Sequence, residues 1–178
     1  MTQAGSAVSA VERRLAELGQ ELPEAPAPLA SYVPAVISGD LVFTSGQLPL
    51  VGGKLVAQGK VGQAKAPQAD AAAHGAGHTE QVVSLEAAQK AAEICVVNAL
   101  AAVKSMIGDL DRITRVVKLV GFVASAADFT AQPAVINGAS DLLGTVLGEA
   151  GVHARSAVGV AALPLGAPVE VELIVEFR

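Results

Sequence analysis

The sequence predicts an α+β fold, in which a mixed sheet carries two helices on one face and an extra helix precedes the sheet. Three observations lead to this prediction. Short β-type runs begin near residue 35, a Val-rich run at Thr114–Ala124 separates two segments of helical periodicity, and alternating apolar residues close the chain. Because a sheet must bury one face against other elements, the two helical segments are expected to cover it.

The N-terminal segment is predicted to form an amphipathic helix. Its apolar residues fall on one helical face, at Val8, Val11, Leu15 and Leu18. Gly19 can end this helix, and the prolines that follow make the rest of residues 1–26 an extended linker. The 178 residues suit a single domain.

The next region predicts an antiparallel meander of short strands between residues 35 and 56, with Gly52-Gly53 at a tight hairpin turn. From residue 57 to 83 the apolar pattern gives way to Gly, Ala, Gln and Lys, so we expect a flexible loop. Two histidines in that loop, His74 and His78, have ligand-like spacing, but the neighbouring glycines argue against the helix such a site needs. We therefore expect no metal.

The second half of the chain contains the two covering helices. Ser84 can cap the first of them, which should run to Gly108, and the second is predicted over Pro133–Leu147. The last residues contain two alternating apolar runs around the turn-forming segment Leu163–Pro168, a pattern that predicts a C-terminal β-hairpin.

Composition narrows the possible function classes. Twelve basic residues against 17 acidic ones, a net charge of −5 and the absence of Trp argue against nucleic-acid binding. No uninterrupted apolar run reaches the ~18–20 residues of a membrane helix. The N-terminus lacks a signal-like pattern and there is a single cysteine, so we expect a cytoplasmic protein. With 52% hydrophobic and only 16% charged residues, part of the surface is expected to form a subunit interface.

Three segments resemble the RidA (YjgF) family of small trimeric imine/enamine deaminases: Tyr32-Val33-Pro34, Ser45-Gly46-Gln47 and Ala154-Arg155-Ser156-Ala157. The similarity extends from about Ala27 to Phe177, excluding the middle loop, and the chain resembles a divergent member with an N-terminal helix. It implies a chorismate-mutase-like fold with a mixed six-stranded sheet. It also implies a homotrimer whose open sheet faces turn inward and whose ligand clefts lie at the subunit boundaries.

The resemblance assigns Arg155 to the carboxylate of a 2-imino acid, a role that suits a rigid, permanently charged guanidinium. Glu170 falls where the family has an acidic residue that positions or activates water. Hydrolysis of an imine needs both a delivered water and a proton given to nitrogen, and a shielded carboxyl group can perform both tasks. The alternative for Glu170 is a solvated acidic stripe, since Glu172 and Glu176 share its face.

The other candidate residues also come from the resemblance. Tyr32 would cover the ligand at the cleft entrance, or would simply pack at the first strand, and Ser45 would lie near the ligand. The asparagine of many active relatives aligns with Pro133, whereas Asn137, one helical turn later, would reach the cleft or end on the exposed face. Ala157 stands where active relatives often carry cysteine, so only backbone contacts to a ligand would survive there.

Two functions remain open at this point. The first is hydrolysis of reactive 2-imino or enamine acids to 2-keto acids and ammonia, which needs no cofactor because the imine is already electrophilic. The second is non-catalytic binding of a small carboxylate-bearing metabolite in the same cleft. The replacements at Pro133 and Ala157 keep the second alternative open.

Overall fold

The computed structural model describes residues 8–24, 31–62 and 82–178. The helices in these ranges are α1 (Ala10–Glu17), α2 (Leu85–Ile107) and α3 (Gln132–Leu147). The strands of the first half are β1 (Ala35–Ser38), β2 (Leu41–Thr44), β3 (Leu50–Val51), β4 (Lys54–Leu55) and β5 (Lys60–Val61). Those of the second half are β6 (Val82–Val83), β7 (Ile113–Ala124), β8 (Ala154–Val160) and β9 (Val169–Phe177).

Each helix begins where the sequence offers a stabilising first turn. At α1, Ser9 and Glu12 form a capping box, in which each side chain accepts a hydrogen bond from the other's backbone N–H. At α2, the Ser84 hydroxyl accepts a hydrogen bond from the Ala87 N–H at 3.2 Å. Pro133 lies in the first turn of α3, where a missing N–H costs nothing. The three predicted helices are confirmed.

The main sheet has five strands in the order β1-β2-β9-β7-β8. Strands β7 and β8 are parallel and all other neighbours are antiparallel, so the sheet is mixed as predicted. The expected six-stranded sheet is wrong for the described residues by one strand. The short strands β3 and β4 pair only with each other, and β5 pairs in parallel with β6.

The predicted C-terminal hairpin is wrong. Strands β8 and β9 do not pair with each other, because β7 lies between them and pairs with both along most of its length. The connection over residues 161–168 is longer than the about two to five residues of common hairpin loops, which leaves room for this crossing. In the middle position, the backbone N–H and C=O groups of β7 are paired along both of its edges. Beside a β8–β9 hairpin, one edge of β7 would have no partner strand.

One face of the sheet is covered by helix. Helices α2 and α3 pack against each other and share a single apolar core with alternating side chains of β7 and β9, among them Val116, Leu119, Val123, Val169, Val171, Leu173 and Val175. The strand registers place a second, partly exposed set of apolar side chains on the opposite face: Val36, Phe43, Val120, Phe122, Val158 and Ile174. We call this second surface the open face.

The remaining connections agree in part with expectation. Gly52 and Gly53 have φ angles of 57° and 77°, the left-handed values that the turn between β3 and β4 requires. The ends of the predicted 57–83 loop form the β5–β6 ladder, whereas His74 and His78 lie outside the described residues. Among the residues that are described, no group of three His, Cys, Asp or Glu side chains is arranged to hold a metal ion. No described helix is long and apolar enough to cross a bilayer.

Candidate functional site

Arg155 lies on β8, the edge strand of the sheet, and is half-buried. Its register partner on β7 is Leu119, a buried core residue, so the Arg155 side chain extends from the helix-covered face. There it meets α3. The Nη1 atom donates to Asn137 Oδ1 at 2.9 Å and to Ser140 Oγ at 3.1 Å.

These two hydrogen bonds use both N–H groups of Nη1 and add no negative charge. Within the described part of the chain, Arg155 forms no ion pair with a carboxylate. The guanidinium edge formed by Nε and Nη2 makes no hydrogen bond to any described residue. That edge carries two parallel N–H donors, the geometry that matches a carboxylate in a bidentate pair.

Ser140 is held in turn by His153. Ser140 Oγ lies 3.1 Å from His153 Nε2, and His153 Nδ1 lies 2.6 Å from the carbonyl oxygen of Gly151. A carbonyl oxygen can only accept, so Nδ1 carries the proton, and in the neutral imidazole Nε2 accepts from the Ser140 hydroxyl. Hydrogen bonds therefore run in one direction, from Arg155 through Ser140 and His153 to Gly151. We call Arg155, Asn137, Ser140 and His153 the Arg155 group.

Of the other sequence-predicted positions, Asn137 belongs to this group and Ala157 lies beside it. Asn137 contacts Arg155 directly, so the structure brings these two candidates together, whereas Pro133 lies in the first turn of α3 and is exposed. Ala157 lies two residues after Arg155, on the same face of β8, and packs against the core.

Cys95 is buried within α2, where burial raises the pKa of its thiol well above the ordinary value, as expected for an unreactive core cysteine.

Glu170 extends from the open face, since its neighbours Val169 and Val171 are both buried in the core. Its carboxyl group lies against the backbone of Gly46, where an added methyl group would overlap the Oε1 atom. Partial burial, and after it the charge of Glu172, raises the pKa of Glu170 above its ordinary value. A carboxyl group whose pKa is raised keeps its proton to a higher pH than an ordinary one, which suits it to give and take protons.

Ser45 and Tyr32 are linked to Glu170 through the backbone. The Ser-Gly-Gln segment is held on β9 by two hydrogen bonds between Gln47 and Val171, at 2.8 and 3.0 Å. The Ser45 hydroxyl donates to the carbonyl oxygen of Val33 at 2.6 Å and so fastens the segment that contains Tyr32. Tyr32 itself is 45% exposed. We call Glu170, Gly46, Ser45 and Tyr32 the Glu170 group.

The two groups do not meet within one copy of the chain. Strand β7 separates β8 from β9, and the registers offset Arg155 from Glu170 by three residues along β7. Strand spacing and rise then separate their Cα atoms by about 14 Å. Because the two side chains also point to opposite faces of the sheet, a single protomer cannot place both around one small ligand.

Sequence reasoning did not identify the contacts of Ser140 with Arg155 and His153. The available signal was spacing, since Asn137 and Ser140 are three residues apart and share one face of α3. A second signal was the alternation that puts His153 and Arg155 on the same side of β8. Neither pattern indicates which face of α3 packs beside β8. The contact between the two elements could therefore not be predicted from the sequence.

Comparisons with known proteins agree with this architecture. Residues 12–177 match the family described as "YjgF/chorismate mutase-like, putative endoribonuclease". Protein TCP17 of Trypanosoma cruzi is 42% identical over 171 residues, which cover 94% of both chains.

Two solved structures are similar over nearly the whole chain. The Agrobacterium tumefaciens protein Atu1372, of unknown function, is 48% identical with a TM-score of 0.79, over 95% of this chain and 93% of its own. A Shewanella oneidensis protein described as a "putative endoribonuclease" is 34% identical with a TM-score of 0.80, over 94% of this chain and 99% of its own. From the fold, the arrangement of the Ser-Gly-Gln and Ala-Arg-Ser segments and these matches together, the chain belongs to the YjgF/chorismate-mutase-like family.

Proposed function

We propose that this protein is a homotrimer that hydrolyses reactive 2-imino or enamine acids to 2-keto acids and ammonia. One observation carries the proposal: Arg155 is anchored by neutral groups, and its bidentate edge has no partner among the described residues. An arginine held in this way is suited to gripping a carboxylate from outside the chain. The two solved structures named above are described as a protein of unknown function and as a putative endoribonuclease, and neither description names imine hydrolysis.

The reaction would be completed across a subunit boundary. Arg155 of one copy would bind the ligand's carboxylate, and Glu170 of a neighbouring copy would handle the water. The water oxygen bonds to the imine carbon as Glu170 takes one water proton and passes it to the nitrogen. The second water proton then moves to the nitrogen, the C–N bond breaks, the carbonyl C=O of the keto acid forms and ammonia leaves. This division of roles rests on the opposite facing of the two side chains and on the apolar open face, which a closed trimer would bury.

Ammonia release is the direct test. Imino acids generated in situ by an amino-acid oxidase would be supplied to the wild type, to Arg155→Ala and to Arg13→Ala, an exposed arginine on α1 with the same charge change. We expect Arg155→Ala to abolish the acceleration over spontaneous hydrolysis, and Arg13→Ala to keep it. Binding of pyruvate should weaken about 30- to 1,000-fold in Arg155→Ala, as when a charge-assisted pair loses one partner.

Mixed trimers test the subunit boundary itself. Arg155→Ala and Glu170→Gln would each be inactive alone, but co-expressed copies would form some clefts with an intact arginine from one chain and an intact glutamate from the other. Random assembly should restore about a quarter of the wild-type sites in a cyclic trimer. No recovery in a trimer that contains both variants would place the two residues in the same copy and refute the proposed division.

The alternative is a non-catalytic binder of small carboxylates, which is favoured by Pro133 and Ala157 at positions where active relatives carry asparagine and cysteine. This alternative predicts pyruvate binding that depends on Arg155 with no ammonia release above the spontaneous rate. The RNA-cleaving function in the family description is disfavoured by the net charge of −5, because RNA binding draws on lysine and arginine. Cleavage of single-stranded RNA by the protein is measured as the control for that function.

A further inference from the structure

We propose that Ser140 and His153 are positioning residues that fix the Arg155 guanidinium so that its Nε–Nη2 edge receives the ligand carboxylate. This inference rests on the proposed function and adds the orientation of the ligand's carboxylate. It starts from the direction of the hydrogen bonds described above, in which Ser140 accepts from Nη1 and donates to His153 Nε2.

The guanidinium group of arginine has two edges, each with a pair of N–H donors, that can bind a carboxylate. One lies between Nη1 and Nη2, at the end of the guanidinium, and the other lies between Nε and Nη2, at its side. Asn137 Oδ1 and Ser140 Oγ already occupy both hydrogens of Nη1, so the end edge is closed. Only the side edge keeps two parallel donors, and it is therefore the edge that can bind both carboxylate oxygens.

His153 makes this arrangement directional. A serine hydroxyl has one proton, and a free hydroxyl rotates among several acceptors. With its Nδ1–H donated to the Gly151 carbonyl, His153 offers Nε2 as an acceptor and holds the Ser140 proton away from the arginine. The Ser140 oxygen then faces Nη1 with its lone pairs. Without His153 that hydroxyl can turn, and the guanidinium loses a fixed partner.

The side chains that form this network are supplied by two rigid elements. Ser140 and Asn137 come from the middle of α3, and Arg155 comes from β8, with His153 immediately before that strand. Sites built on helices and strands hold geometry more closely than sites built on loops. We therefore expect substitutions in the network to alter ligand binding without unfolding the protein.

The experiment measures pyruvate binding by the full-length protein and compares Ser140→Ala with Ser140→Thr. Alanine removes the acceptor and threonine keeps it, so we expect about 3- to 10-fold weaker binding in Ser140→Ala and near wild-type binding in Ser140→Thr. Ser105→Ala serves as a matched control, because Ser105 is an exposed helix serine whose side chain, among the described residues, donates to the Ala102 carbonyl and to no other group. His153→Phe should weaken pyruvate binding. His153→Gln keeps an acceptor and should retain most of the wild-type affinity.

A double-mutant cycle separates positioning from general structural damage. In an Arg155→Ala background, Ser140→Ala should have no further effect on pyruvate binding, because the group it positions is absent. Equal weakening with and without Arg155 would overturn the inference, as would wild-type binding by Ser140→Ala. If Arg155→Ala itself binds pyruvate as well as the wild type, the proposed function fails and this inference fails with it; a failure confined to Ser140 and His153 leaves the proposed function intact.

Discussion

At the scale of single residues, Gly46 permits an approach that no other amino acid would. The Glu170 carboxylate lies directly on its backbone, in the space that a side chain would occupy. The neighbouring residues Ser45 and Gln47 hold the segment in place through hydrogen bonds to Val33 and Val171. A glycine here therefore determines where the carboxyl group of Glu170 lies.

The first prediction concerns Gly46→Ala. The added methyl group would displace the end of a flexible glutamate and leave the backbone in place, so we expect a folded protein that binds pyruvate. Its imine hydrolysis should fall by about 10-fold or more, because the displaced carboxylate no longer reaches the water. Gly144→Ala is the control, since a methyl group there meets nothing within 4 Å. Unchanged turnover in Gly46→Ala would contradict the role assigned to Glu170.

The second prediction concerns the pH dependence of stability at Glu170. Its pKa is raised in the folded chain, so the folded state binds this proton more tightly than the unfolded state does. The stability from this group is present at acid pH and is lost as the pH rises from the ordinary carboxyl range through the raised pKa. Glu170→Gln, which resembles the protonated form, should therefore unfold at a higher temperature than the wild type at neutral pH.

That difference should disappear in acid, where the wild-type carboxyl group is protonated as well. Thermal unfolding at a series of pH values measures it, and Glu149→Gln, an exposed residue with the same charge change, is the control. If Glu170→Gln were less stable than the wild type at neutral pH, Glu170 would have a stabilising partner as an anion, and the direction argued here would be wrong.

At the scale of elements, α1 is attached to the domain by polar contacts at its start. The Asp111 carboxylate accepts hydrogen bonds from the backbone N–H groups of Ala10 and Val11, at 2.8 and 3.1 Å. Lys104 of α2 pairs with Glu12 at 2.5 Å, and Arg14 donates to the Val146 carbonyl near the end of α3 at 2.8 Å. Val11 and Leu15 bury the apolar face of the helix. The eight-residue helix is too short to persist alone, so these tertiary contacts decide its stability.

The third prediction is that Asp111→Ala loosens α1. Removing an acceptor from two helix N–H groups should cost about 1 kcal/mol of stability. Hydrogen exchange should accelerate at the first turn of α1 while the protection of β7 and β9 stays unchanged. Asp128→Ala removes an exposed aspartate elsewhere and should leave α1 unaffected. Equal exchange in the two variants would mean that the capping contact adds nothing.

At the scale of the whole molecule, the open face is the feature that one copy of the chain leaves unexplained. Strand registers align Val120, Phe122, Val158 and Ile174 on it, beside the Glu170 side chain. Apolar patches of this kind are typical of interaction surfaces. In the proposed trimer the patch would be buried and would bring the Glu170 group of one copy toward the Arg155 group of another.

The fourth prediction tests that assembly. Val158 is 44% exposed, and Val158→Asp would place a charge in the proposed interface. We expect a trimer in the wild type by light scattering at micromolar concentration, and monomers in Val158→Asp that have lost imine hydrolysis although every site residue is still present. Val8→Asp, the same change at a 57% exposed position before α1, should remain a trimer. A wild type that is monomeric would refute both the trimer and the shared cleft.

The three helices, the mixed sheet, the family and the candidates Arg155 and Glu170 could all be predicted from the sequence. These features depend on local patterns: apolar spacing, capping residues such as Ser84, and contiguous segments such as Ser45-Gly46-Gln47. A period of two along β9 was also enough to place Glu170 and Glu172 on the same face.

The order in which the strands pair and the face on which each helix packs are visible only in the folded chain. Strand pairing depends on backbone hydrogen bonds between residues far apart in the sequence. The local sequence pattern therefore predicted that β8 pairs with β9, whereas β7 lies between them. For the same reason, the sequence pattern could not predict that Ser140 contacts Arg155 or that the side chains of Arg155 and Glu170 point to opposite faces of the sheet. Both result from the choice of β8 as the edge strand beside α3, and that choice is made by packing and pairing across residues far apart in the chain.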